Sequence, residues 1–405
     1  MPKLLHTSDW HLAKKLNGKF DLVSEQQYVL EHLLEVVHHE DPDVVVVAGD
    51  VFDTPEQPPL AALRTWAWIS QALVESAPGG RPLVVIPGNH DHAYRMSLNA
   101  GLARPSGLHL LHDLTRAHEP HVVGGIEFFG VPFHKPGRIR ALAKRWAADA
   151  NEEEVEIGDF DYDAAMRWLT GRALANSDGA HPRVAVAHAF VDGAEPEGMG
   201  EEPLMLGGAG SVTVDAFAGF DYVALGHIHR AYPLPGTKHV RYAGSLYPCA
   251  FDERNDKSVT IVEWPDAAVA GTEPTTRMVP LRLNKEVRVI DDLSFDELVA
   301  RGEEARRDGD PRVEDFILAS VTDRTPIPHA QSLLASVYPN AQFEQRVLDV
   351  EVERRQDVPD PQHHTVEEMF DAFYRYVHGP DAAPSELERQ LLHEVLDELG
   401  MERDA

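Results

Sequence analysis

The feature that most constrains this chain is a run of four valines, Val44-Val45-Val46-Val47, closed by Ala48-Gly49-Asp50. A strand with one wet face alternates apolar and polar residues. Four consecutive β-branched apolar residues leave no polar face, so the strand has to be covered on both sides by other layers. The same grammar recurs at Pro82-Leu83-Val84-Val85-Ile86, closed by Pro87-Gly88, and predicts further strands at 126–131, 183–187, 222–225, 241–243 and 258–262. Helical periodicity falls between them, at Leu22 to His39 with Val29, Leu30, Leu33, Leu34 and Val37 on one face, and at Leu60 to Val74. The first 265 residues or so therefore predict a layered α/β domain. In such a fold ligands sit beyond the carboxyl ends of the strands.

A loop with Pro265, Gly271 and Pro274 breaks the pattern between Trp264 and Pro280. Beyond it, strands at 286–290, 316–321 and 343–352 alternate with helices at 295–307 and 329–338, a small α+β module placed at 281–356. A second break, 357–362, leads to two helices in the segment 363–402. The first carries Val366, Met369, Phe370, Phe373 and Val377 on one stripe. The second opens with Ser385 and Glu388 in capping-box spacing and runs through Leu387, Leu391, Leu392, Val395 and Leu396. The single cysteine, Cys249, rules out an intramolecular disulfide. The N-terminus has no apolar signal segment, and no apolar run approaches the ~20 residues that span a bilayer. The expected location is the cytoplasm, away from membranes.

Five polar clusters each follow directly on a predicted strand: Asp9-Trp10-His11, Gly49-Asp50-Val51-Phe52-Asp53, Gly88-Asn89-His90-Asp91, Ala187-His188, and Gly226-His227-Ile228-His229. Carboxylate and amide oxygens mixed with imidazole nitrogens suit Mn²⁺, Fe²⁺ or Zn²⁺ and not a calcium oxygen cage. Seven such residues hold two metals if one carboxylate is shared. Asp91 and His92 also fit a loop-closing role, and Trp10 a packing one.

The order D-x-H, G-D, G-N-H-D, H, G-H-x-H resembles the calcineurin-like metallophosphoesterases. More narrowly, Leu5–His11, Ala48–Thr54, Phe220–His229 and Arg241–Ser245, followed by Phe251-Asp252-Glu253 and Lys257-Ser258, resemble the SbcD family of nuclease subunits. The resemblance covers residues 3–263. It implies a layered β-sandwich metallophosphoesterase domain flanked by helices, with a small α+β capping domain and C-terminal partner-binding helices. It implies a first metal held by Asp9, His11, Asp50 and His229, and a second held by Asp50, Asn89, His188 and His227. Two Mn²⁺ per chain are expected, with Mg²⁺, Fe²⁺ or Zn²⁺ as alternatives. His90 is implied to stabilise or protonate the leaving oxygen, and Asp53 to pair with His90.

The resemblance further implies a DNA nuclease: a 3′→5′ double-strand exonuclease and single-strand or hairpin endonuclease, ATP-dependent through an SbcC-type ATPase. No Walker A sequence occurs in the chain, so ATP dependence would come from that partner. The two C-terminal helices, with Val366, Phe370, Phe373, Leu391 and Leu396, are implied to grip its coiled coil, in a homodimer within a heterotetramer. The competing readings are another calcineurin-like phosphodiesterase or phosphatase with a non-DNA substrate, and a non-catalytic scaffold. The module at 281–356 speaks against the former, and the complete set of seven donors against the latter.

The net charge of −30 excludes DNA binding by a uniformly basic surface. Half of it, −15, falls in residues 281–405. Two basic stretches remain as candidate phosphate contacts: Lys14, Lys15 and Lys19, and Lys135, Arg138, Arg140, Lys144 and Arg145.

Overall fold

The computed structural model describes residues 1–149, 161–194, 211–253, 256–323, 326–345, 366–378 and 382–399. These divide into two compact units, Met1–Val321 with Ile327–Glu344, and Thr322–Pro326 with Gln345–Ala405.

Two six-stranded sheets form the frame of the first unit. One runs in the order Thr275–Pro280, Ser258–Glu263, Lys3–Thr7, Val44–Ala48, Leu83–Ile86, Leu108–Leu110. The other runs Tyr232–Pro233, Val240–Tyr242, Tyr222–Gly226, Arg183–His188, Ile126–Val131, His121–Val123. The inner pairings are parallel in both sheets. Alternation along each strand divides the side chains between two cores. Val44, Val46 and Ala48 face inward, where they meet Phe128, Val184, Val186, Tyr222 and Ala224 of the second sheet. Val45 and Val47 face outward onto Val29, Leu30, Leu33 and Val37 of the helix Val23–Glu40, and onto Ile69 and Leu73 of Leu60–Glu75. The second sheet turns Phe129, Ala185, Val223 and Leu225 outward in the same way, onto Ile139 and Leu142 of Pro136–Asp149 and Met166 and Leu169 of Tyr162–Ala175. Helix, sheet, sheet and helix thus stack as four layers. A fully buried valine contributes about 1.5–3 kcal/mol, so the all-valine strand sits where two cores use all of its surface.

The first sheet runs past the expected boundary at 265. The segment 264–280, expected as a loop, contains the strand Thr275–Pro280, which pairs antiparallel with Ser258–Glu263 along all six residues. It lies at the sheet edge and is largely exposed, so Thr275, Thr276 and Arg277 carry no apolar alternation to betray it. The small three-stranded sheet, Val287–Ile290, Phe316–Val321 and Ala341–Gln345, lies as far as Glu344 in the same compact unit as the sandwich. It has its own core around Leu298, Ile317, Ala319 and Leu334, while Phe316 joins the valine-strand core. The helix Phe295–Arg307 starts on a capping box between Ser294 and Glu297. The expected strand residues 346–352 and the break at 357–362 lie outside the described residues.

The second unit contains the helices Val366–His378 and Glu386–Leu399. The expected cap is present, with Glu388 Oε2 accepting from Ser385 N at 2.7 Å. The helices are tied by Tyr374 Oη donating to Glu388 at 3.2 Å and by Arg389 with Asp371 at 3.0 Å. Among the described residues no helix is long and apolar enough to cross a membrane.

Two buried histidines of the sandwich give the fold an acid limit. His6 Nδ1 meets Tyr222 Oη at 2.9 Å, and His134 Nδ1 donates to the Pro132 carbonyl at 2.8 Å. Burial pushes His6 down to about 3 and His134 down to about 4. Both pKa values lie below the unfolded value, so this stability is present above pH ~6.5 and lost as pH falls toward 4, at up to about 1.4 kcal/mol per pH unit per histidine. Urea unfolding between pH 7 and 4.5 should show that slope. His134→Gln still donates to the carbonyl but does not titrate, so it should flatten the slope by about one proton. An unchanged slope would remove His134 from this account.

Candidate metal centre

All five polar clusters open from carboxyl ends of parallel strands, and the layers bring those ends together. Asp9 and His11 follow Lys3–Thr7, and Asp50 follows Val44–Ala48. Asn89 and His90 follow Leu83–Ile86, His188 ends Arg183–His188, and His227 and His229 follow Tyr222–Gly226. Two glycines make the approach possible. A Cβ on Gly88 would lie 2.1 Å from Asp50 Oδ1, and one on Gly226 would lie 2.0 Å from the Ala48 carbonyl oxygen. Asp9, His11, Asp50 and His227 adopt positive φ, at 51°, 43°, 51° and 102°. Such backbone costs about 1–3 kcal/mol per residue and collects at functional sites.

The donors converge on one carboxylate. Asp50 Oδ2 lies 3.3 Å from His188 Nε2 and 3.7 Å from His11 Nε2, while Oδ1 accepts the His90 backbone N–H at 2.8 Å. His11 Nε2 faces His229 Nε2 at 3.1 Å. Asn89 Oδ1 lies 2.9 Å from His188 Nε2 and 3.0 Å from His227 Nδ1. Asp9 is fixed by Ser8 Oγ at 2.5 Å and by the His227 backbone N–H at 3.0 Å. Two donor groups, Asp9–Asp50–His188 and His11–Asp50–His90, each have all ligand atoms within 4.8 Å of one another and share Asp50. Phe133 closes one side, its ring centroid 6.2 Å from that of His188.

Charge in this buried site is balanced between carboxylates and imidazoles. Burial raises the Asp50 carboxyl, but His188, His11 and His90 more than reverse this and hold it well below the usual carboxylate range. Burial lowers His188, and Asp50 outweighs it, holding the imidazole up at about 9. Asp9 is raised by burial, with Asp50 adding to the effect. Closely packed carboxylates and imidazoles of this kind, with an amide oxygen among them, are a donor set for divalent cations of the Mn²⁺, Fe²⁺ and Zn²⁺ type.

A family model described as Calcineurin-like phosphoesterase matches residues 2–231, more than half of the chain. One described as Type 5 capsule protein repressor C-terminal domain matches residues 284–378. The SbcD subunit of the SbcCD nuclease of Bacillus subtilis is 34% identical over 294 residues, 70% of each chain. This chain belongs to the calcineurin-like phosphoesterases, in their SbcD branch. The SbcD of Staphylococcus saprophyticus is 28% identical over 345 residues, 84% of this chain and 83% of that relative, and the one of Staphylococcus epidermidis is 27% identical over 293 residues, covering 71% and 72%.

The structure of this phosphoesterase differs from the sequence reading around Asp53. His90 Nδ1 donates to the main-chain carbonyl of Asp53 at 2.8 Å. The Asp53 carboxylate lies 2.9 Å from Lys14 Nζ and 3.4 Å from His11 Nδ1. Burial raises that carboxyl, and His11 and Lys14 outweigh it, holding it at about 2. Of the first basic stretch, Lys14 is drawn into the site. Lys14 is 16% exposed and paired with Asp53, whereas Lys15 and Lys19 are exposed, Lys19 with its Nζ donating to the Ala341 carbonyl at 3.3 Å and lying over the Phe20 ring. In the second stretch Lys135, Arg138, Arg140, Lys144 and Arg145 are all exposed, the last four on the helix Pro136–Asp149.

Three further residues bear on the site, and Asp91 takes the loop-closing role that its place in the third cluster suggests. Asp91 accepts from Val51 N at 3.1 Å, Phe52 N at 3.0 Å and Gly88 N at 3.0 Å, clamping two metal loops together. Burial and then Asp50 push its carboxyl up to about 6. Cys249 is buried with its thiol near His11 and His229. Glu253 bonds His229 directly. Of the partner-binding candidates, Phe373 is 63% and Leu391 51% exposed, and Leu387, one turn before Leu391, is 66% exposed. Phe370 is half-buried against the Tyr374 ring. Val366 and Leu396 are helical, but their side chains lie outside the described residues.

Proposed function

We propose that this chain is the nuclease component of a DNA-processing complex, hydrolysing DNA phosphodiesters at a site for two Mn²⁺ ions. Asp9, His11, Asp50 and His229 would hold one ion, and Asp50, Asn89, His188 and His227 the other. The observation that carries this reading is the central position of Asp50, whose Oδ2 lies 3.7 Å from His11 Nε2, a donor proposed for the first ion, and 3.3 Å from His188 Nε2, a donor proposed for the second. A carboxylate has lone pairs for two cations, whereas a neutral imidazole has one. When bound, the two ions supply Lewis-acid activation and neutralise phosphoryl charge. The chain's own part is to fix the donors on rigid strand ends, to exclude bulk water with Phe133 and the buried walls, and to move a proton at His90.

The relatives are named as the SbcD part of SbcCD, so the partner proposed here is the other component of such a complex, an SbcC-type ATPase. The exposed Phe373, Leu387 and Leu391 give a coiled coil an apolar surface to cover. ATP dependence, 3′→5′ exonuclease and hairpin endonuclease activity, and a homodimer within a heterotetramer belong to this proposal. The exposed basic helix Pro136–Asp149 is proposed to follow the DNA backbone.

The test is cleavage by the full chain with Mn²⁺, with and without the ATPase partner. The substrates are labelled linear duplex, a DNA hairpin and bis-p-nitrophenyl phosphate. Cutting of all three is expected, with DNA cutting increased by the partner and ATP. Hydrolysis of the small ester with no DNA cutting, even with the partner present, would favour a non-DNA phosphodiesterase. Arg138→Glu with Lys144→Glu should weaken DNA binding and make its salt dependence shallower by about two contacts, leaving ester hydrolysis unchanged.

A further inference from the structure

We propose that Glu253, held by Lys257 and Ser245, is the positioning residue for His229, and that it sets the affinity of one of the two metal positions. This rests on the reading of His229 as a metal ligand. His229 Nδ1 lies 2.7 Å from Glu253 Oε1. An ionised carboxylate only accepts, so Nδ1 carries a proton, and Nε2 is the nitrogen turned toward His11 Nε2, 3.1 Å away. The other Glu253 oxygen accepts from Lys257 Nζ at 2.7 Å and from Ser245 Oγ at 3.1 Å. Lys257 Nζ also reaches Ser245 Oγ at 2.8 Å and the His229 carbonyl at 3.3 Å, and the Ser245 N–H donates to that same carbonyl at 3.1 Å. The network therefore grips His229 at both ring and backbone.

Its burial sharpens the point. Glu253 is 2% exposed, Lys257 3%, Ser245 1% and His229 1%. A buried ion pair is seldom more stabilising than apolar side chains of the same volume, so this pair needs another reason to be there. Direction is that reason. His188 has its Nδ1 against a main-chain carbonyl, that of Ala48 at 2.8 Å, and His11 Nδ1 meets Asp53 at the longer 3.4 Å. His229 takes the short contact to a fully enclosed carboxylate, which fixes its tautomer and raises its basicity toward a cation.

The experiment titrates Mn²⁺ into the metal-free full chain by calorimetry and by the electron paramagnetic resonance signal of free Mn²⁺. It compares wild type, Glu253→Gln, and Glu253→Gln combined with Lys257→Met, and a thermal melt of each metal-free protein accompanies the titrations. The double variant removes both charges together and covers the case in which Glu253→Gln alone fails to fold. Wild type should bind two ions, and both variants should bind one of them about 10–100-fold more weakly with the other unchanged. Two ions bound as tightly as in wild type would overturn the positioning role and leave the two-metal reading standing. Equal loss at both positions with a lowered melting temperature would make the network structural and overturn the proposal. Failure of wild type itself to bind Mn²⁺ would overturn the metal reading, and this inference with it.

Discussion

Asp50→Asn should lower hydrolysis of both DNA and bis-p-nitrophenyl phosphate by at least about a thousandfold, because metal-ion stabilisation supplies several kcal/mol at the transition state and each ~1.4 kcal/mol is a factor of ten. The substitution keeps size and one acceptor oxygen, so the His90 N–H can still be satisfied as it is by Oδ1 at 2.8 Å. What disappears is the charge placed 3.3 Å from His188 Nε2 and 3.7 Å from His11 Nε2, which the two donor groups share. Calorimetry should therefore show both Mn²⁺ sites weakened by this one change. Replacing a residue proposed to hold only one of the ions, such as His229→Ala, should weaken one. Activity within tenfold of wild type in Asp50→Asn, with both sites still filled, would rule out a bridging carboxylate.

The parts legible in sequence share a physical basis. Val44–Val47 announces a doubly covered strand because every one of its side chains is apolar, and the two cores confirm that both faces are used. The metal donors are legible because each polar cluster interrupts an apolar run at a strand end, where burying Asp or His without function is costly. Main-chain partners of such side chains leave no such trace. His90 is held by the Asp53 carbonyl, which any residue at 53 supplies, and Asp91 serves three backbone N–H groups. Lys14 looks like the start of a basic stretch until the loops fold and place Asp53 beside it. Glu253 carries part of its signal in the sequence. Opposite charges four residues apart, Glu253 and Lys257, directly before a buried strand suggest an enclosed pair, yet nothing in their spacing points to His229, 24 residues away. The edge strand Thr275–Pro280 is hidden for the opposite reason, since its exposure removes the apolar alternation that marks a strand.

His90→Ala is expected to separate leaving-group chemistry from metal binding. The Asp53 carbonyl accepts from Nδ1, so any proton that His90 delivers leaves from Nε2. The His90 ring packs edge-on to His11 with centroids 4.9 Å apart, which places it at the rim of the donor cluster. A positioned general acid contributes about 10²–10⁴-fold, so DNA cleavage, which expels a basic sugar alkoxide, should fall by that factor. Bis-p-nitrophenyl phosphate expels a nitrophenolate that is stable without a proton, and its hydrolysis should fall by less than about tenfold. Both Mn²⁺ ions should bind as in wild type. Equal losses on the two substrates would move His90 from the leaving oxygen to the phosphoryl oxygens, where both reactions need it alike. Loss of one Mn²⁺ would make His90 a ligand, the role open to it in the group His11–Asp50–His90. The ratio of the two losses, measured on protein with full metal content, thus decides which of three jobs the histidine does.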